Sequence, residues 1–259
     1  MPLLSTARKA TTLSPALPVP NDLLAKHGIA FRRGQFSLLV AAPGVGKSLT
    51  ATNLAVSTPV PSVYLSADSD EWTVRVRVCS IVTGTKQDNV DRQLNEGGKT
   101  EAWYVDKLRQ ADHVDWCYRT DIDMEFVVQR LMAHAELRGE YPQLLVVDNL
   151  TNTVQDHDNE YAELRGICRE LQSIARNTGA HVMALHHVKG PKENGFSQIG
   201  QGDLLGNIAK LPEMVIGLNR IEDDPAHLNL SVAKNRGGKS GAHIRLPVDY
   251  STATVGGFI

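Results

Sequence analysis

Residues 36–56, FSLLVAAPGVGKSLTATNLAV, carry an apolar strand-like run through a glycine-bearing turn into a helical pattern, with Gly46-Lys47-Ser48 at the junction. A chain with this segment must end a buried strand directly at a helix N-terminus, which is the geometry of a phosphate-binding P-loop. The motif G-x-x-x-x-G-K-[ST] places its first glycine at Ala41. The cradle itself comes from backbone N–H groups around Gly44 and Gly46 and from the helix that begins near Lys47, so Ala41 needs only to end the strand. Ala42, Pro43, Gly44, Val45, Gly46, Lys47, Ser48 and Leu49 form the expected nucleotide-binding set. Lys47 would reach the β- and γ-phosphates, and the Ser48 hydroxyl would take one position on Mg²⁺. The plainer alternative is a glycine-rich turn with a solvent lysine.

Strand-like and helical stretches alternate on either side of this segment: FSLLVA, SLTATNLAVS, SVYLSAD and EWTVRVRVCSIVTG come first. DMEFVVQRLMAHAELRG, QLLVVDNL, NEYAELRGICRELQSIARNTG and AHVMALHH follow later, with Gly179 a C-cap candidate. The expected fold class is therefore α/β, with a twisted, mainly parallel central sheet flanked by helices. From about residue 211, PEMVIGLNR, LNLSVAKNRGG and AHIRLPVDYS read as an antiparallel C-terminal extension. Residues 1–21 contain Pro15, Pro18 and Pro20 without periodicity and are expected to form an arm or linker, leaving residues 22–259 as the folded domain. The polar region 84–112 contains one amphipathic stretch, EAWYVDKLRQA.

The 259 residues suffice for one large α/β domain, and at 42% hydrophobic and 22% charged the composition is that of an ordinary globular protein. No apolar run approaches a membrane span and the N-terminus lacks a signal-peptide core, so a cytoplasmic protein with no membrane partner is expected. Cys79, Cys117 and Cys168 have no C-x-x-C spacing, which favours free thiols over disulfides or zinc. The net charge of −2 gives no general pull on nucleic acid, so any such contact must be local.

Several residues are placed to work with the P-loop. Asp148 ends the apolar run QLLVVDNL, where a Walker B carboxylate would hold Mg²⁺ opposite Ser48. Asn149 follows it in place of a glutamate, so a general base has to come from elsewhere; Asp68, at the end of VYLSAD, is the first candidate. Asp70 and Glu71 are rivals whose alternative role is to cap the next helix. His186 and His187 end AHVMALHH, and His187 is preferred as a γ-phosphate sensor. His157 is too isolated to complete a zinc site. Lys234 and Arg236 are two apart on a strand before a glycine turn, so both project from one face and are free to reach outward, as trans-acting fingers or as a solvated hairpin rim. The loop 188–206 carries Lys189 and Lys192, diluted by Glu193 and Asp203, and reads as either a nucleic-acid contact or a plain surface loop.

Taken together, residues 22–255 resemble the RecA-like ATPase core of DnaB-type and RepA-like hexameric replicative helicases. VYLSADSDE is similar to the strand with the acidic base, LLVVDNL to the Walker B strand and ALHHVKG to the sensor strand. GQGDLLGNI is similar to the segment after the DNA-contacting loop, and AKNRGGKSG to the Lys-x-Arg finger hairpin. The resemblance implies ATP and Mg²⁺ as cofactors and Lys47, Asp68, Asp148, His187, Lys234 and Arg236 as catalytic residues. It further implies a homo-oligomer, a hexamer in the family, with ATP at the subunit interfaces, single-stranded DNA in the centre and replication proteins as partners. Asp68 stands where the family usually has glutamate, and an N-terminal collar or primase domain is not expected. The alternatives are a recombinase-like filament former or helicase-loading ATPase that binds DNA or protein without unwinding, and a regulatory ATPase that binds protein alone.

Overall fold

The computed structural model describes residues 14–154, 160–188, 192, 194–256 and 258. A short helix α1 (Asp22–Lys26) precedes strand β1 (Phe36–Ala41), and helix α2 (Lys47–Ser57) follows directly from the turn. Next come β2 (Ser62–Ser66), α3 (Glu71–Thr83), α4 (Gln87–Glu96), α5 (Gly98–Leu108), β3 (Val114–Cys117), α6 (Met124–Arg138), β4 (Leu144–Asp148), α7 (Glu160–Thr178) and β5 (His181–His187). Strands β6 (Met214–Ile221), β7 (Asp224–Asn235), β8 (His243–Asp249) and β9 (Thr254–Val255) complete the chain.

One sheet joins all nine strands in the order β3-β2-β4-β5-β1-β6-β7-β8-β9. β1 to β6 run parallel, and β7, β8 and β9 are added antiparallel. The expected antiparallel region therefore begins one strand later than the alternation suggests. PEMVIGLNR forms β6, which pairs parallel with β1 on one side (Leu38 opposite Val215) and antiparallel with β7 on the other. A strand in that position is buried on both faces, as the unbroken run MVIGLN is here, so its composition cannot distinguish the two pairings. β1, β2 and β4 are also wholly buried, which is why their sequences are continuous apolar runs without alternation.

VRVRV in α3 looks like a period-two strand but is a helix that serves two cores. Val74, Val78 and Ile81 face the main core, while Val76 and Cys79 join Val90, Leu94 and Tyr104 in a separate small cluster formed with α4 and α5. Asp70 accepts the Thr73 amide at 2.8 Å and caps this helix, and Gly84, at φ +67°, ends it. The polar region 84–112 is thus a helical pair with its own core. Gly179 ends α7 at φ +73° with its amide on Ala175 O, as expected of a C-cap. The later part of the arm packs on its own chain: Leu17 is buried, its amide donates to Phe31 O, and Ala16 bridges Arg32. Among the described residues no helix is long and apolar enough to cross a membrane. Cys79 and Cys168 are buried free thiols and Cys117 is a half-buried one.

His181, at the start of β5, is buried beneath the lead-in to β1. Its Nδ1 lies 2.9 Å from Arg32 O and therefore donates, so Nε2, 2.9 Å from Ser37 Oγ, accepts in the neutral ring. Burial depresses its pKa to about 4. The unfolded chain then takes up this proton before the folded one does, and stability is lost as pH falls from about 6.5 to about 4. The expected contribution is about 3 kcal/mol over that window, at roughly 1.4 kcal/mol per pH unit. Urea melts at pH 7 and pH 4.5 should show this slope in the wild type, and a shallower one in His181→Gln.

Candidate nucleotide site

The site forms where β1, β2, β4 and β5 end on the same edge of the sheet. β1 stops at Ala41, the turn passes through Gly44 (φ +70°) and Gly46 (φ +118°), and α2 begins at Lys47. The left-handed backbone at both positions explains their glycines. A cavity of about 330 Å³ opens there, lined by Gly44, Gly46, Lys47, Ser48, Asp68 and His187, with Arg77, Gln87 and Tyr250 also on its wall.

Lys47 is only 5% exposed, which rules out the solvent-lysine reading. Its Nζ donates to Ala41 O at 3.1 Å and Ala42 O at 3.3 Å, and lies 2.9 Å from His187 Nδ1. An ammonium can only donate, so Nδ1 accepts and the neutral ring keeps its proton on Nε2, a donor for a ligand. Burial lowers the Lys47 pKa to about 8, against the opposing pull of Asp148 and Asp68. His187 is also shifted down, first by burial and then by the Lys47 charge. His186 is fully buried in the sheet and does not line the cavity, so of the pair only His187 takes part.

Asp148 is the last residue of β4 and 3% exposed. Tyr64 Oη donates to its Oδ2 at 2.8 Å, while Oδ1 is buried without a hydrogen-bond partner. Burial raises its pKa, with Ser48 and Tyr64 opposing the shift. An orphaned carboxylate oxygen beside a serine hydroxyl, at the foot of a phosphate cradle, fits a hard divalent cation such as Mg²⁺. Ser48 and Asp148 are the residues that would hold it.

Asp68 lies just beyond β2 and receives the Asn149 Nδ2 donor at 2.6 Å. Asn149 is fixed in turn through Oδ1, which accepts the Thr151 amide at 2.9 Å and the Thr151 hydroxyl. The residue after Asp148 therefore orients a carboxylate on another strand. Asp70, in contrast, is used as a helix cap, and neither it nor Glu71 lines the cavity.

Tyr64, Arg77, Gln87, Arg220 and Tyr250 join the site without a motif that announces them. Arg77 is the half-buried cation that α3 adds to the cavity wall. Arg220, near the end of β6, donates to Gly44 O at 2.9 Å, and Tyr250 Oη donates to Val45 O at 3.2 Å. Gln87 donates to Tyr250 O at 2.8 Å. A second cavity of about 510 Å³ adjoins the first across Gly44 and Tyr250, with Phe196, Arg220, Pro225 and His227 on its wall. Only the arginine in NR before IED and the tyrosine in VDYS, polar residues ending apolar runs, mark these positions in the sequence.

Lys234 and Arg236 are not in this cavity. Lys234 sits opposite Val215, which is level with Leu38, so it lies about 10 Å short of the strand end where the P-loop begins, at ~3.3 Å per residue. The two side chains do converge, but they are not free to reach outward as expected. Lys234 Nζ donates to Ala209 O at 2.7 Å and Lys210 O at 2.8 Å, and Arg236 donates to Lys210 O at 2.8 Å. A 3₁₀ helix, Leu205–Lys210, ends there, and its unpaired carbonyls attract both cations. Lys192 donates to Gln198 O and pairs with Asp203 at 3.5 Å. Lys189, Glu193 and His157 lie outside the described residues.

Known proteins resemble this chain in sequence and in fold. An AAA domain family profile matches residues 10–193. The gene 65 protein of Mycobacterium phage L5 is 36% identical over 229 residues, 86% of this chain and 85% of that protein. The gene 65 protein of Mycobacterium phage D29 is 36% identical over 208 residues, 78% of this chain and 89% of that one. The replicative DNA helicase DnaB of Treponema pallidum (strain Nichols) is 23% identical over 221 residues, 82% of this chain but 49% of that protein. Among solved structures, a DnaB-like replicative helicase, described with its interactions with primase, superposes with a TM-score of 0.82 at 13% identity. That match covers 98% of this chain and 64% of the helicase chain. A second solved structure, of an isolated ATPase domain, gives a TM-score of 0.80 at 13% identity, over 98% and 95% of the two chains. This chain thus spans about half the length of its DnaB relative and just under two thirds of the helicase structure. Its P-loop lies within the matched segment and its sheet is that of the RecA-like ATPase core of DnaB type; the chain belongs to the AAA domain family.

Proposed function

We propose that this chain is an ATP-hydrolysing motor on single-stranded DNA, of replicative helicase type, working in the cytoplasm as a ring, a hexamer by analogy, with ATP at each subunit interface. The reading rests on one observation above all. The cavity gathers a phosphate cradle, a cation pair, a carboxylate and a histidine, while the Lys234/Arg236 pair lies outside it, toward the other end of the sheet and held on the carbonyls of Ala209 and Lys210; in the proposed ring it would serve a neighbouring copy's site. One of the structures it resembles is a replicative helicase described with primase, which makes replication proteins of that kind the partners to test.

In this mechanism the P-loop amides and Lys47 bind the β- and γ-phosphates. Bound between Ser48 and Asp148, Mg²⁺ would neutralise charge on the phosphate oxygens. Asp68, aimed by Asn149, accepts the proton of the attacking water. His187 Nε2–H faces the γ-phosphate and passes its loss to β5 and the loop after it. Arg236 and Lys234 of the adjacent copy stabilise the transferring group. The adjoining 510 Å³ cavity has room for the nucleoside.

Lys47→Ala and Arg236→Ala should each lack DNA-stimulated ATPase activity. An equimolar mixture of the two should regain it, because some interfaces then combine an intact P-loop with an intact finger; a mixture as inactive as its components would refute the shared site. Asp68→Asn should lower kcat by about 10²–10⁴, the usual range for a general base. Asn149→Ala should lower kcat about tenfold at nearly constant KM, since it removes orientation and leaves the binding contacts. Hydrolysis indifferent to single-stranded DNA across a range of salt would favour the loader or regulatory ATPase over the motor.

A further inference from the structure

We propose that the groove beside strand β3 is a docking site for an extended, basic segment of a partner protein, which joins the sheet as an added strand. β3 ends the sheet, so one of its edges faces outward. Ser62 N donates to His113 O at 2.8 Å while Ser62 lies level with Val114. In a parallel ladder this turns the main-chain groups of Asp115 toward β2 and those of Val114 and Trp116 outward. None of these outward groups has a hydrogen bond among the described residues. Natural sheets commonly screen such an edge with lysine, proline or a covering element. β3 has no lysine or proline, and its one charged side chain, Asp115, is spent on Arg138 at 2.8 Å and His134 at 2.7 Å.

A cavity of about 630 Å³ opens along this edge, larger than either cavity at the nucleotide site and sharing no residue with them. Its wall is apolar where α3 and α5 stand beside β3, with Val74 and Val78 on one helix and Val105 and Leu108 on the other. Val105 is 48% exposed, an apolar side chain left in water at the rim. This wall decides the kind of occupant. The β3 edge of a second copy would bring its own α3 and α5 against those already there, whereas a single extended segment has no flanking helices and can enter. Main-chain bonds to Val114 and Trp116 would give it affinity, and alternate side chains would lie on the valines.

The charges choose its sign. Arg75 is paired with Glu101 at 3.3 Å and Arg138 with Asp115. Glu71 and Asp112 are exposed on the same lining and make no ion pair among the described residues. The cations of the groove are thus neutralised and two of its carboxylates are not, which favours a segment bearing lysine or arginine over an acidic one.

The test is fluorescence anisotropy of a labelled octapeptide alternating valine and lysine, titrated with the full chain, with amide hydrogen exchange read in parallel. Binding should slow exchange at Val114 and Trp116 and leave the P-loop amides unchanged. The same peptide N-methylated throughout cannot form the ladder and should bind about thirtyfold more weakly, as expected for two lost hydrogen bonds. Glu71→Lys combined with Asp112→Lys should weaken the lysine probe about fivefold at low salt and strengthen a probe of valine and glutamate by a similar factor. A folding defect does not produce that reversal. Val105→Ser should weaken both probes. No binding of the lysine probe, equal binding of the N-methylated one, equal affinity for the two charge types or no protection at Val114 and Trp116 would each overturn the proposal. A synthetic peptide of residues 1–13 that binds more tightly than the probe, with the same protection, would give the groove to a neighbouring copy's arm and overturn the foreign partner.

Discussion

The Lys47 ammonium is the point on which the site depends. Buried to 5% exposure, it bonds the last carbonyl of β1, the first of the turn and the imidazole at the end of β5. A charge this far from water needs compensation, and the arrangement provides it with two carbonyls, one neutral histidine and the field of Asp148 and Asp68. The same group that would bind phosphate thus holds β1, α2 and β5 in register before any ligand arrives. His187 is kept neutral by burial and by the adjacent cation, so its free nitrogen remains a donor.

Around this centre, carboxylates and amides on different strands orient one another. Tyr64 on β2 fixes Asp148 on β4, and Asn149 after β4 fixes Asp68 after β2. These are crossed bonds between neighbouring parallel strands, Ser66 pairing with Asp148 in the register. They make the geometry of the two carboxylates a property of strand pairing, so the site is as rigid as the sheet beneath it. One carboxylate oxygen, Asp148 Oδ1, is left unbonded in this network, and it is the one available to a cation.

How much of this is legible in the sequence follows from what kind of signal each part leaves. The P-loop and the strand ending in Asp148 are contiguous and periodic, and the structure has them where the sequence puts them, along with the free thiols; of the two roles open to Asp70, the structure shows the helix cap. Asp68 and His187 stand out because they end apolar runs, and the structure brings both to the cavity. Tyr64, Arg77, Gln87, Arg220 and Tyr250 escape notice because each sits on an element of its own and only tertiary packing brings them together. The direction of β6 is illegible because a doubly buried strand looks the same whichever way its neighbour runs. The freedom expected of Lys234 and Arg236 fails because the carbonyls that hold them belong to a helix end some 25 residues away.

The hairpin of β6 and β7 connects two of these features. Arg220 at one end grips the P-loop of its own chain, and Lys234, paired with Val215 near the other end, points away from it. Five residues of β6 separate the levels of the two, about 17 Å at ~3.3 Å per residue. The strands between them are largely buried and paired in unbroken register from Ile216 to Arg220, with a register shift between Val215 and Ile216, just before the Lys234 level. The hairpin is a stiff arm with one joint: a tilt imposed at Arg220 travels along the paired strands and reaches the two cations through that irregularity, where the ladder can bend.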